Sequence, residues 1–204
     1  EVDGREVGEA PEPVVILLNK PKGYVSTVSD PHAERTVLEL VDAGERRLYP
    51  VGRLDKDSRG LLLLTDDGDL AHKLLHPSHG AEKVYEVRAK GPLGQAEIEK
   101  LAKGVMLEDG MTAPARVEEA AFDGEKARFR IAIREGRKRQ VRLMVRALGG
   151  HVTDLRRVEF AGLKLGNLPE GGWRMLRPGE VRELRHRLER AAKTGARRKT
   201  ERGG

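Results

Sequence analysis

Along the chain, short segments in which apolar residues are continuous or alternate with polar ones are mixed with short segments in which apolar residues recur at helical spacing. This mixture is typical of strands combined with short helices. Residues 14–18 (VVILL) and 61–65 (LLLLT) are almost wholly apolar, as expected for buried strands. Residues 83–90 (KVYEVRAK) alternate with a period of two, which also predicts a strand. Asp-Gly pairs at 109–110 and 123–124 mark hairpin turns. Further strands are predicted at residues 24–28, 115–122 and 126–134.

Apolar residues at helical spacing predict short helices between these strands. Asp69 is expected to cap the second of them, and Pro77 to end it. In the fourth helix, Arg139, Arg142 and Arg146 share the face beside the apolar stripe. Helices and hairpins in this mixture favour the α+β class over a doubly wound parallel sheet. The predicted helices cover residues 36–44, 70–76, 95–104, 137–150 and 179–192.

Composition narrows the possible chemistry. The 204 residues include no cysteine, which excludes disulfides, a thiolate nucleophile and a zinc site of the sulfur-rich kind. No segment approaches the ~18 apolar residues of a membrane span, and no signal peptide opens the sequence. We therefore expect a cytoplasmic protein with no membrane partner.

The net charge of +6 is concentrated at the end of the chain. Residues 185–204 contain eight Lys or Arg residues and two Glu residues, which accounts for the whole excess. Such a segment suits a polyanion such as RNA, but a solubilising tail without a partner explains it equally well. We expect the chain to fray beyond about residue 192.

Two segments imitate metal sites without meeting their requirements. Residues 55–66 resemble a calcium loop, but an arginine occupies a position that needs an oxygen ligand. His72, His76 and His79 are spaced like zinc ligands, but Pro77 interrupts the helix between them. A turn and ordinary surface histidines explain these segments better. Because phosphate-binding loops, dinucleotide fingerprints and nucleophile elbows are also absent from the sequence, we expect no metal and no cofactor.

Two residues permit both an ordinary and a functional interpretation. Asp55, in LDKDSRG, suits a turn in which its carboxylate accepts hydrogen bonds from nearby backbone amides. It also suits a cleft where a carboxylate stays ionised, and burial there would require a guanidinium partner. Tyr85 on a strand beside Val87 is most simply a core residue. The arginines of residues 137–150 are available as partners, although a solvated helix face is their commoner role.

Three segments, in this order and spacing, carry a resemblance to a known family. They are GRLDKDSRGLLLLTDDGDLAHKLLHP, EKVYEV and EGRKRQVRLM, and the pattern is completed by LNKPKGYVST and LPEGGWRMLRPGEV. Each motif alone is weak, but the ordered set is specific. Over residues 12–186 the chain resembles the RNA pseudouridine synthases, in the branch that includes RsuA, RluB, RluE and RluF. Within that branch it is most similar to the RluB-like enzymes of the large ribosomal subunit.

The resemblance implies an architecture. It is an α+β fold with a mixed, mostly antiparallel central sheet flanked by helices, and with two subdomains around an RNA-binding cleft. Residues 12–186 would be the catalytic domain and residues 187–204 a basic tail. Family members usually carry a small RNA-binding module upstream, so residues 1–11 would be the remnant of a truncated one plus a linker. We expect a monomer.

The resemblance also implies roles for individual residues. Asp55 matches the essential catalytic aspartate, Tyr85 the tyrosine that packs on the target uracil, and Arg142 the arginine that pairs with that aspartate. The residues expected to bind RNA or to shape the pocket around the target are Lys20, Arg53, Lys83, Arg139 and Val141.

The implied reaction isomerises a specific uridine to pseudouridine in ribosomal RNA. The N1–C1′ bond breaks, the uracil turns and C5 bonds to C1′, so no atom is gained or lost and no cofactor is needed. Asp55 would either attack C1′ or remove the 2′ proton, and both routes require it ionised. The motifs favour 23S RNA, and 16S RNA remains an alternative. A non-catalytic RNA-binding ribosome-assembly factor of the same fold is a second alternative, which the intact Asp–Tyr–Arg set disfavours.

Overall fold

Residues 12–28 and 35–200 are described by the structure, a computed structural model, without the side chains of Ser78 and residues 193–200. None of the helices in these residues is long and apolar enough to cross a membrane. The α-helices are α1 (Gly68–Leu75), α2 (Gln95–Lys103), α3 (Gln140–Ala147) and α4 (Pro178–Thr200), and 3-10 turns cover Val37–Leu40 and Pro77–His79. The strands are β1 (Val15–Lys20), β2 (Tyr49–Val51), β3 (Arg59–Thr65), β4 (Lys83–Lys90), β5 (Met106–Leu107), β6 (Gly110–Met111), β7 (Arg116–Asp123), β8 (Lys126–Ile133), β9 (His151–Phe160), β10 (Leu163–Lys164) and β11 (Trp173–Met175).

A nine-stranded sheet organises these elements. Its main order is β11-β1-β3-β9-β4-β8-β7, with β2 paired to β3 and β10 paired to β9. Neighbouring strands run antiparallel except β3 and β9, which are parallel. Strands β5 and β6 form a separate hairpin. A mixed, mostly antiparallel sheet with helices confirms the predicted α+β class.

Strands β1 and β3 are buried on both faces of the sheet because their apolar residues fill two separate cores. In β3, Leu62 and Leu64 pack in one apolar cluster, and Leu61 and Leu63 in the other. The alternation follows from the period of two in a strand, which sends successive side chains to opposite faces. The four-leucine run is therefore the element around which both layers are built.

The parallel junction between β3 and β9 joins two halves of the sheet. It is narrow: Arg59 pairs with Arg156, and Gly60 with Arg157. A Cβ atom on Gly60 would lie 2.2 Å from the carbonyl oxygen of Arg157, and Gly60 has φ +106°, so the approach requires glycine. Across the junction, Arg59 donates two hydrogen bonds to Asp154, at 3.1 and 2.7 Å. These hydrogen bonds hold the pKa of Asp154 well below its ordinary value.

Several predicted elements differ from those observed. Residues 24–28 form no strand and contribute only an isolated bridge between Val25 and Thr36. The helix predicted at 36–44 is a 3-10 turn, and strand β9 was not predicted at all. Helix α4 extends to Thr200, beyond the predicted fraying point. The expected upstream remnant at residues 1–11 lies outside the described residues.

Two helix starts were also placed wrongly. Asp67, rather than Asp69, caps α1, because its side chain accepts a hydrogen bond from the backbone N–H of Leu70 at 2.9 Å. Helix α3 begins at Gln140 rather than at residue 137. The preceding residue, Arg139, has left-handed backbone angles and lies outside the helix. The prediction that Arg139 shares a helix face with Arg142 is therefore wrong.

Replacing Glu180 with glutamine should lower the free energy of unfolding by about 1 kcal/mol. Glu180 accepts two hydrogen bonds from Arg174, both at 2.8 Å, and one from the backbone N–H of Arg177 at the start of α4. The hydrogen bonds from Arg174 lower the pKa of Glu180 from 4.5 to about 2. The stabilisation is therefore complete above pH 4.5 and is lost as the pH falls through about 2.

Urea unfolding at neutral pH and below pH 4.5 measures this effect, because the difference between variant and wild type should shrink in acid. Glu183→Gln is the matched control. Glu183 pairs with Arg187 on the exposed surface of the same helix, so a loss of only a few tenths of a kcal/mol is expected. A Glu180 effect that stayed constant with pH would contradict the assignment.

Candidate active site

A cavity of about 790 Å³ opens where the two halves of the sheet meet. The segment before β3 supplies one wall, and β4, β9 and the residues before α3 supply the others. Charged, polar and apolar side chains all line it. The lining side chains include Arg53, Asp55, Lys83, Tyr85, Arg139, Val141, Arg157 and Phe160.

The loop that carries Asp55 is held from behind by Lys20. The Lys20 ammonium group donates hydrogen bonds to the backbone oxygens of Pro21, Asp55 and Ser58, at 3.1, 3.0 and 2.7 Å. Its side chain is completely buried, at 0% exposure. Burial lowers the pKa of Lys20 to about 8, against the opposing influence of Asp55 and Asp57.

The prediction that Lys20 binds RNA is therefore wrong, because a group with no exposed surface cannot touch RNA. Lys20 instead fixes the loop backbone. The sequence did not reveal this because two of the three oxygens that it binds, those of Asp55 and Ser58, lie 35 and 38 residues along the chain. Ser26 supports the same loop by exchanging hydrogen bonds with the backbone of Leu54, at 3.0 and 3.1 Å. The polypeptide around Asp55 is thus ordered on the side that faces the core.

Two carboxylates leave this loop and meet two arginines. Arg139 donates to both oxygens of Asp57, at 3.2 and 3.1 Å, and its nearest approach to Asp55 is 3.5 Å. Burial pushes the pKa of Asp57 upward, but the hydrogen bonds from Arg139 and the charge of Arg142 outweigh it, so the pKa is lowered. Asp57, rather than Asp55, is the carboxylate with the closer arginine contacts.

Arg142 reaches the loop from α3 and is the less exposed of the two arginines. It donates to the backbone oxygen of Asp57 at 3.1 Å, to Ser58 Oγ at 3.2 Å and to the backbone oxygen of Val152 at 3.3 Å. Its Nε lies 3.9 Å from Asp55 Oδ2. This Nε is buried and has no hydrogen-bond partner within the described part of the chain. The predicted Asp55–Arg142 pair is therefore present as a long ion pair without a hydrogen bond.

The two carboxylates differ in where they point. Asp55 lines the cavity, and its side chain is 30% exposed. Asp57 is not among the lining residues, and its side chain is 51% exposed. Geometry therefore favours Asp55 as the carboxylate that can reach a molecule in the cavity, with Asp57 holding the arginines in place.

The remaining predicted residues lie around the same cavity. Tyr85 is buried in the core cluster and also lines the cavity, which is compatible with both its core and its site interpretation. Val141 is buried at the start of α3 and lines the wall, whereas Arg53 is exposed at the rim. Lys83 precedes Tyr85 on the same face of β4, and burial, followed by the charge of Arg157, lowers its pKa to about 8.

Arg157 is a lining residue that the sequence did not indicate. It lies on β9, whose pairing with β4 is interrupted by register shifts between Val84 and Tyr85 and between Arg88 and Ala89. Such bulges break the simple alternation by which a strand is recognised. The segment LRRVEF belongs to no motif used above, so only a strand prediction could have found this residue.

Comparison with known proteins identifies the family of the chain. The sequence profile of the RNA pseudouridylate synthase family matches residues 14–147. The ribosomal large subunit pseudouridine synthase B of Bacillus subtilis (strain 168) is 43% identical over 187 residues, covering 91% of this chain and 76% of that protein. The protein of the same name from Vibrio cholerae serotype O1 is 39% identical over 194 residues, covering 92% of this chain and 60% of that protein.

A solved structure leads to the same family. The crystal structure of a pseudouridylate synthase matches with a TM-score of 0.75 at 34% identity, covering 85% of this chain and 74% of that one. The family profile covers most of the chain, and the relatives are similar over nearly all of it. Together they establish the family. The chain belongs to the RNA pseudouridine synthase family, in the branch of RsuA and RluB.

Proposed function

We propose that this protein converts a specific uridine of ribosomal RNA, in the 23S molecule, to pseudouridine. One observation carries the proposal: the Asp55 carboxylate and the Tyr85 ring line the same cavity from opposite halves of the sheet. The names of the relatives from Bacillus subtilis and Vibrio cholerae, both ribosomal large subunit pseudouridine synthases, support the large-subunit target. Ribosomal RNA is then the partner, and the cytoplasm is the compartment in which we expect the protein to act.

A cavity at this position accepts a nucleotide only after it leaves the RNA stack. Flipping the target uridine costs a few kcal/mol. Stacking of its base on Tyr85 would recover about 1–3 kcal/mol. Exposed cations at the rim, such as Arg53 and Arg139, are placed to meet the phosphates beside the flipped nucleotide. The cavity therefore combines a base site with a charged entrance.

The chemistry assigned to Asp55 needs its ionised form beside the ribose. As a nucleophile it would attack C1′, and as a base it would remove the 2′ proton. Arg139 and Arg142 lie 3.5 and 3.9 Å from its Oδ2. Because the Nε of Arg142 has no hydrogen-bond partner in the described residues, a movement of about 1 Å would give it one in Asp55. We expect this contact to close when RNA is bound.

Release of tritium from uracil C5 tests the function, because C5 loses its hydrogen when it bonds to C1′. Unmodified 23S and 16S transcripts, each labelled at C5, are incubated separately with the protein. We expect about one release event per 23S molecule and none from 16S RNA, followed by mapping of the new pseudouridine. Release from 16S RNA alone would move the target to the small subunit. Release from neither transcript would favour a non-catalytic RNA-binding factor.

A further inference from the structure

Arg157 is a buried cation whose hydrogen bonds are incomplete. Its side chain lies in the cavity wall, and the residue is only 3% exposed. Nε donates to the backbone oxygen of Leu61 at 2.7 Å, but Nη2 is buried and has no partner among the described residues. A buried guanidinium N–H without an acceptor is costly, so an acceptor that enters the cavity is the natural explanation.

A second cation lies beside it without a carboxylate. The Lys83 ammonium lies 5.8 Å from the centre of the Phe160 ring, and the Arg157 guanidinium carbon lies 4.8 Å from the same centre. No carboxylate pairs with Lys83 or Arg157 anywhere in residues 12–28 and 35–200. Two neighbouring cations without a counter-charge, above an aromatic floor, make an anion-accepting surface.

Strand register places this surface next to the predicted base site. In the pairing of β4 with β9, Tyr85 is the direct partner of Arg157, and Lys83 is the direct partner of Phe160. Direct partners on adjacent antiparallel strands have their Cβ atoms about 4.5–5.5 Å apart. A base stacked on Tyr85 would therefore present one edge to Arg157 and Lys83.

We propose that Arg157 and Lys83 bind a carbonyl oxygen of the flipped uracil and stabilise the uracil anion that forms when the N1–C1′ bond breaks. The inference rests on the proposed function and assigns a charge-stabilising role within that site. A backbone phosphate is the less suitable ligand, because Arg157 is buried in the cavity wall, whereas Arg53 and Arg139 line the same cavity and are exposed.

The electron balance of the reaction explains why cations beside the uracil are useful when the N1–C1′ bond breaks. When the N1–C1′ bond breaks, its electron pair stays on uracil and is shared among N1 and the carbonyl oxygens. When C5 bonds to C1′, the C5 hydrogen leaves as a proton and N1 gains one, so the product is neutral again. Full negative charge exists only between these steps. Fixed cations in a poorly solvated site therefore stabilise the intermediate and the preceding transition state more than the bound uridine.

Leaving-group chemistry gives a direct test. Fluorine at C5 makes the uracil anion intrinsically more stable, so RNA with 5-fluorouridine at the target should depend less on the two cations. Lys83→Met and Arg157→Lys are compared with wild type under single-turnover conditions. The readout is loss of the target nucleoside after digestion. We expect Lys83→Met to slow uridine about 10²-fold, and Arg157→Lys to slow it less, with clearly smaller losses on 5-fluorouridine.

Lys90→Met is the matched control, since Lys90 is exposed on β4 and does not line the cavity; it should leave both rates unchanged. Thermal unfolding reports whether each variant is folded. If the Arg157→Lys variant is not folded, the Lys83→Met variant alone tests the inference. A folded Lys83→Met variant with no loss, or with equal losses on the two RNAs, would overturn the inference and leave the proposed function standing. A wild-type protein that converts no uridine would overturn both.

Discussion

Replacing Asp55 with asparagine should reduce conversion of the target uridine by about 10³-fold or more, because the cavity then lacks the carboxylate that attacks C1′ or removes the 2′ proton. Asparagine has the same shape, and among the described residues the Asp55 carboxylate makes only long ion pairs, at 3.5 and 3.9 Å. Stability and RNA affinity should therefore change little. Tritium release measures the rate, and filter binding of the same transcript measures affinity.

Asp57→Asn is the control that separates the two carboxylates. The residue stands two positions along the same loop and contacts the same arginines, but it does not line the cavity. We expect a loss of roughly tenfold or less, caused by looser positioning of Arg139 and Arg142. Equal losses in both variants would assign the chemistry to the pair, and a larger loss in Asp57→Asn would contradict the assignment of Asp55.

Replacing Arg142 with methionine should lower kcat by about 10²-fold or more while RNA affinity stays within a few-fold of wild type. Methionine keeps the buried stem but removes the hydrogen bonds to the backbone of Asp57, to Ser58 Oγ and to Val152. The loop would lose its link to α3, and Asp55 would lose the less exposed of its two arginine contacts. A displacement of about 1 Å at a reacting group is enough for a loss of this size.

Arg146→Met is the matched substitution on the same helix. Arg146 is exposed, and its side chain makes no hydrogen bond or ion pair within the described residues, so kcat should be unchanged. The effect of Arg142 is read from saturating RNA, which separates turnover from binding. If Arg142→Met bound RNA poorly but turned over normally at saturation, its role would be recognition of RNA rather than positioning of Asp55.

Strands and helices were predictable from the sequence wherever burial depends on local pattern. The leucine run of β3 and the alternation of β4 are recognisable because their side chains pack without regard to distant charges. Strand β9 was missed because its charged residues are compensated from elsewhere: Asp154, for example, pairs with Arg59 in β3, 95 residues away. A local pattern contains no record of such partners.

The catalytic roles assigned by family resemblance stay predictions until they are tested. The geometry explains which features of the site could not be predicted from the sequence. Lys20 looks like an exposed turn residue, and its burial depends on oxygens 35 and 38 residues along the chain. The close contact of Asp57 with Arg139 depends on a left-handed backbone at Arg139, which a helix pattern does not indicate. Both features depend on contacts between segments that are distant in the sequence, rather than on residue type.

The parallel junction of β3 and β9 also determines when the cavity can exist during synthesis. Arg157 donates to the backbone of Leu61, which precedes it by 96 residues. A ribosome adds ~5–20 residues per second, so about 5 to 20 s separate the appearance of the two strands. Through that interval β3 can pair with β1, as Gly60 does with Lys20, but the Arg59–Gly60 end lacks its parallel neighbour β9. A nascent chain of this enzyme is therefore inactive until β9 has left the ribosome and the second half of the sheet has closed the cavity.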